Sequence, residues 1–415
     1  MEMSRIIKSG EVGTLSRVEG DLVVGEDSTV RCEAGVKTIK VKGGVRCKGD
    51  SVFECGVEAD SLSVKDGDIV VKGDLKISGR IKVKHGSLTV EGDLEAEDVD
   101  VDERLIVKGG IKAEDIDVGG SLEADGSVDV RELDVGGYVE VKDEVKAGIV
   151  DVGGSFKAYS KVDIERLDVG GSALVHGGRI ETVNVGGSFR SEKPLTYKEI
   201  SVGGGVYLAE ESRGGDIDVG GKLTARGFQH MGEIDVGGTV LIDGDAEAER
   251  VEVGGTLKVT GDLRVNGEVD VGGSVTVKKN LSALRVDVGG EIKAKSVRAR
   301  RSIEVSGRLE TSDGVKAQHI EIGRLCRVSG PLIGLTVDIG ERAKVEDVYG
   351  RDITLMERSK ARNVYGENIS LERGVRIEGK IVYTGRFEAE EDVRLAFEPE
   401  KVENLPIKVN LRELE

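Results

Sequence analysis

Apolar residues return along this chain in a three-beat rhythm. Val99, Leu105, Ile111, Ile116, Leu122, Val128, Leu133, Val139, Val145, Val150, Phe156, Val162 and Leu167 stand 6, 6 and 5 residues apart, without a break. The rhythm resumes at Val269, and again at Ile303, from where it carries on to Val337. In most segments a second apolar or small residue follows two positions later, as in Ile116/Val118, Leu122/Ala124 and Val128/Val130. Alternation of that kind turns one face of a strand inward. Gly, Asp, Asn and Ser fill the intervals, and these residues suit corners. Helical spacing never persists, and β-branched residues dominate. Each unit of 17 residues is therefore expected to hold three short strands and three corners.

Three short strands cannot bury their apolar faces alone, but stacked turns can. The expected fold is all-β: a single-stranded parallel β-helix of triangular cross-section. Its sense is read as right-handed, because the left-handed hexapeptide solenoid keeps a 6-6-6 step and this chain shortens every third one. Residues 18–385 would form about 21 turns, and at the inter-strand spacing these would stack into a rod of roughly 100 Å. Residues 1–17 would be an N-terminal edge segment. Residues 386–415 read as a cap, since no glycine follows Gly385 and Phe387, Leu395, Phe397, Leu405, Pro406 and Ile407 lie there.

A tetrad marks the repeat. Asp117-Val118-Gly119-Gly120 returns around Gly136-Gly137 and Gly153-Gly154, then through variants to Asp287. The glycines Gly119, Gly120, Gly136, Gly137, Gly153 and Gly154 are read as corner residues that need φ > 0. The residue before each Val-Gly-Gly should point outward and stack on its counterpart. Nine of these are acidic: Asp117, Asp134, Asp151, Asp168, Asp218, Asp235, Glu252, Asp270 and Asp287. The bland reading gives each carboxylate a hydrogen bond from the Gly-Gly turn beyond it; the sharper one is a stripe for cations or a partner. Leu174, Tyr207 and Leu241 fall in one outward column after Gly-Gly and make a candidate apolar docking patch.

Composition narrows the picture. With 61 glycines, no tryptophan and 3% aromatics, the core must be thin and mainly aliphatic. A net charge of −18 argues against nucleic acid, whose phosphates demand a basic stripe. No apolar run reaches the length of a membrane span and no signal-peptide pattern opens the chain, so a cytoplasmic location is expected. The cysteines Cys32, Cys47, Cys55 and Cys326 sit on alternating patterns and read as reduced, buried small hydrophobes. Two glutamines and seven asparagines beside abundant Lys and Glu match a hyperthermophile composition.

Catalytic chemistry finds no support. His85, His176, His230 and His319 are scattered and match no zinc-enzyme spacing. The Gly-Gly pairs precede no helix that could cradle a phosphate. Ser, Thr or Tyr often follows them directly, where a calcium-binding nonapeptide would need another pattern. No catalytic, cofactor or metal residue is assigned.

The 17-residue unit, its Gly-Gly and Gly-Asp corners and runs such as Val18-Glu19-Gly20-Asp21-Leu22, Val71-Lys72-Gly73-Asp74-Leu75 and Val90-Glu91-Gly92-Asp93-Leu94 resemble the bactofilins, polymer-forming cytoskeletal proteins. The resemblance implies a right-handed triangular β-helix that joins end to end without bound nucleotide, often at a membrane surface. Family members are shorter and carry disordered tails. Self-association is the expected partnership, through an N-terminal end that offers Met3, Ile6 and Ile7. Three apolar residues would hold a bilayer only weakly. The rival reading is a protein-binding module that uses the outer faces.

Overall fold

The computed structural model describes residues 4–227 and 229–405. It is an all-β parallel solenoid of about 23 turns, with about 17 residues per turn. The chain divides into two units, Met1–Leu208 and Ala209–Glu415.

In the first unit the alternation of the sequence becomes the alternation of burial. Leu22, Val45, Leu62, Ile81, Val99 and Ile116 occupy one register position on successive turns, and all are buried. A second inward column runs Leu122, Val139, Phe156, Ala173, Phe189. Ala173 lies between two fully buried phenylalanines, and its small side chain leaves room for both rings. Fully burying one such aliphatic or aromatic side chain is worth about 1.5–3 kcal/mol, so the fold rests on many thin, equivalent layers.

The three-strand expectation holds for the early turns, as in Leu22–Val24, Ser28–Cys32 and Thr38–Val41. From Ile111 it needs correction. There the third strand of one turn runs on into the first strand of the next, giving eight-residue strands such as Ile111–Val118 and Val128–Val135. The corner survives as two adjacent residues that both face away from the core, Glu114 and Asp115. The five-residue step leaves no residue for a turn, so the strand bends without breaking. In the second unit the same economy yields the fifteen-residue strands Ser274–Val288 and Glu291–Val305.

The solenoid also reaches beyond residues 18–385. Arg5–Ile7 pairs with Leu22–Val24, and Val12–Leu15 pairs with Ser28–Cys32. At the other end Phe387–Ala389, Arg394–Leu395 and Glu400–Lys401 each pair with the preceding turn. The stretch read as a cap is thus one more turn as far as Lys401; Pro406 and Ile407 lie outside the described residues.

The cysteine reading is corrected in part. Cys32 and Cys55 form a disulfide across neighbouring turns, with Cα atoms 6.1 Å apart and a sequence separation of 23. Val30 and Phe53 are register partners, which brings the residues two positions on face to face. Cys47 and Cys326 are free and buried, and burial pushes the Cys47 thiol up to about 12.

Candidate functional site

Register turns the acidic pattern into a physical column. Asp117, Asp134, Asp151 and Asp168 stand on consecutive turns of the first unit, continuing from Asp100. A second column, Asp98, Asp115 and Glu132, runs beside it. In the second unit Asp218, Asp235, Glu252, Asp270 and Asp287 are likewise in register. That column continues through Glu304, Glu321 and Asp338, which the sequence reading missed because the Gly-Gly pair ends before them. The unbroken apolar rhythm beyond residue 303 was the signal that could have found them.

Stacking like charges at about 4.8 Å has an electrostatic cost. Partial burial, and then repulsion from Asp117, Asp151 and Glu132, hold the Asp134 carboxyl above its usual range. Asp287 is raised in the same way, by partial burial and then by Glu304, Asp270 and Glu268. Cations relieve only part of the first unit's face: Arg131 reaches Asp115 and Glu132, and Lys82 reaches Asp100. The side chains project from a flat sheet, and among the described residues no group of three or more His, Cys, Asp or Glu converges as a metal cage would.

Among the described residues no Gly-Gly amide donates to an aspartate of the acidic column. Instead the glycine amides bond to backbone below: Gly119 N–H donates to Val101 O at 3.0 Å, and Gly137 N–H to Gly120 O at 2.8 Å. Nor do Gly119, Gly120, Gly136, Gly137, Gly153 and Gly154 adopt positive φ. Their role is close approach. A Cβ on Gly136 would land on the carbonyl oxygen of Gly119, and one on Gly153 would land on that of Gly136. Side-chain oxygens act where Gly-Asp replaces Gly-Gly. Asp93 N–H donates to Asp74 Oδ1 at 3.0 Å, and Gly110 N–H donates to Asp93 Oδ1 at 2.7 Å.

Charged or polar side chains flank the members of the candidate apolar patch within each unit. Leu174 sits between Lys157 and Arg190. Arg190 in turn neighbours Tyr207, its guanidinium 4.2 Å from the ring centroid. In the second unit Leu241 lies between Thr224 and Lys258. Each histidine faces a carboxylate on another turn, the shortest contact being His85 Nδ1 to Asp66 Oδ1 at 2.9 Å.

No protein family, curated protein or solved structure matches this chain. The fold alone is what the chain shares with other solenoids. At the N-terminal end Ile6 is 65% exposed and Val12 57%. Ile7, expected to join them, is buried at 3%, and its side chain fills the space a Cβ on Gly13 would need. Met3 lies outside the described residues. At the other end Phe397 is 59% exposed.

Proposed function

We propose that this protein is a non-catalytic scaffold whose copies join through solenoid ends, in the manner of the bactofilins it resembles in repeat style. One observation carries the reading. The strands Arg5–Ile7 and Val12–Leu15 pair on one side only among the described residues, while Ile6 and Val12 lie exposed beside that edge. A parallel strand leaves every second amide and carbonyl unsatisfied along its open edge, and such edges template pairing with another chain. Two copies meeting there head to head would use one patch twice and form a closed dimer. Growth beyond two would require the C-terminal turn, where Phe397 is the exposed anchor.

Charging the edge tests this. At high salt, where contacts between exposed charges are screened, Ile6→Asp with Val12→Asp should convert the end-joined species to monomer in sedimentation velocity, with the circular dichroism spectrum unchanged. Undiminished association of a folded double variant at high salt would overturn the reading. The interrupted column at Leu174 and Tyr207 gives the binding-module reading no comparable support.

A further inference from the structure

The turn that carries residues 297–305 holds an extra corner residue. Ala283 pairs with Ala299, yet Arg285 pairs with Ser302, so two residues, Arg300 and Arg301, sit between the paired positions where the turn below has one, Leu284. The surplus drives Arg300 and Arg301 outward, and both are exposed. Arg298 stands exposed on the adjoining strand, next to Lys316 in the column, and Arg285 is exposed one turn below. Neighbouring lysines have found acids: Lys279 lies 3.2 Å from Asp245, and Lys293 lies 3.3 Å from Glu310. Among the described residues Arg285, Arg298, Arg300 and Arg301 have no such partner. From Lys278 to Arg308 the chain carries 9 basic and 3 acidic residues, against a net charge of −18 for the whole.

The opposite excess lies in the first unit. From Glu91 to Asp151 there are 20 acidic and 6 basic residues. With Arg131 and Lys82 engaged elsewhere, Asp117, Asp134 and Asp151 form a run of carboxylates that has no ion pair among the described residues. We propose that the arginine corner at Arg285, Arg298, Arg300 and Arg301 is a lateral docking surface for a second copy of this chain, which it meets at Asp117, Asp134 and Asp151.

Spacing and chemistry both favour that occupant. Every copy presents its carboxylates at the inter-turn spacing of about 4.8 Å, the same repeat that separates Arg285 from the arginines one turn on. Guanidinium groups grip carboxylates in a bidentate fork, which adds direction to attraction. A polyanion fits less well. Its phosphates follow another repeat, no aromatic side chain flanks these arginines to stack a base, and the chain's own charge repels it at a distance. The contact pairs two different patches, so it propagates where a two-fold contact would close. It adds sideways growth to the end contact proposed above and does not depend on it.

Sedimentation velocity on the full chain tests the surface. Lateral association should weaken by about tenfold or more between low and high salt, as screening of exposed charge requires. Arg298→Glu/Arg300→Glu/Arg301→Glu should abolish it, and so should Asp117→Lys/Asp134→Lys/Asp151→Lys. Mixing the two reversed variants should restore it. Arg→Gln versions at the same three positions serve if the reversed variant misfolds. The Ile6→Asp/Val12→Asp variant should keep the salt-sensitive association and lose only the end contact. Association that survives arginine reversal, or that mixing fails to restore, overturns the proposal. So does salt-insensitive, monomeric wild-type protein whose arginines instead bind phosphatidylserine vesicles or duplex DNA.

Discussion

The early turns and the central turns stack their corners by different means. Around Asp74, Asp93 and Gly110, a side-chain oxygen reaches to the amide of the next turn. Around Gly119, Gly136 and Gly153 there is no side chain at all, and backbone rests directly on backbone. The aspartate ladder tolerates irregular turns, because a side chain can reach over a variable gap. The early region accordingly includes the long turn that separates Cys32 from Cys55. The glycine stack admits no such slack, and the turns built on it keep a nearly constant length.

The largest expected effect falls on the irregular region. Removing the disulfide with Cys32→Ser should cost about 3 kcal/mol, the loop-closure entropy of a loop of this size. A denaturant titration with and without reductant measures it; equal midpoints for the wild type under both conditions would mean the bridge does not form.

Next comes the glycine stack. Gly136→Val must push its side chain into the Gly119 carbonyl, so the turn has to shift, with a loss of about 1–3 kcal/mol. Gly110→Ala in the aspartate region should cost less, since the nearest atom its Cβ would meet is 3.4 Å away. Equal losses at the two sites in thermal unfolding would erase the distinction drawn here.

Much of this was legible in the chain. The 6-6-5 rhythm fixed strands, inward faces and repeat length, because each follows from alternation within one turn. What escaped depends on contact between turns. Gly119 and Gly136 look like residues for positive φ until the carbonyl beneath them is known. The Cys32–Cys55 pair was hidden because the long turn between them breaks the rhythm that would have aligned them. Arg300 and Arg301 carried a signal in their doubled corner, but that neither forms an ion pair with a described residue shows only in the folded turn. The acidic column was legible only where Gly-Gly marks it, and Glu304, Glu321 and Asp338 lie beyond the last pair.

A smaller effect is expected at the aspartate ladder. Asp93→Ala removes the acceptor of the Gly110 amide and should cost about 1 kcal/mol, with faster exchange at that amide by hydrogen–deuterium measurement. Unchanged protection would show that the carboxylate is incidental.

The smallest concerns pH, and its sign is opposite to the usual carboxylate. Asp134 titrates above its ordinary range in the folded chain, so the native state binds protons more readily than the unfolded one. By linkage, stability should rise as pH falls through that raised value, and Asp134→Asn should be slightly stabilising at neutral pH. Asp347 is held low by the Arg362 guanidinium, so its share of stability is present at neutral pH and fades as pH falls through its depressed value. Melting curves of Asp134→Asn and Asp347→Asn across the acid range separate the two.

In the proposed scaffold the open edge at Arg5–Ile7 and Val12–Leu15 joins copies of this chain. Sedimentation equilibrium of the intact protein over a wide concentration range tests it most directly. At high salt, where lateral charge contacts are screened, a mass that climbs from one chain toward two, and falls back to one in Ile6→Asp/Val12→Asp, is the predicted result. A single-chain mass at every concentration would contradict it.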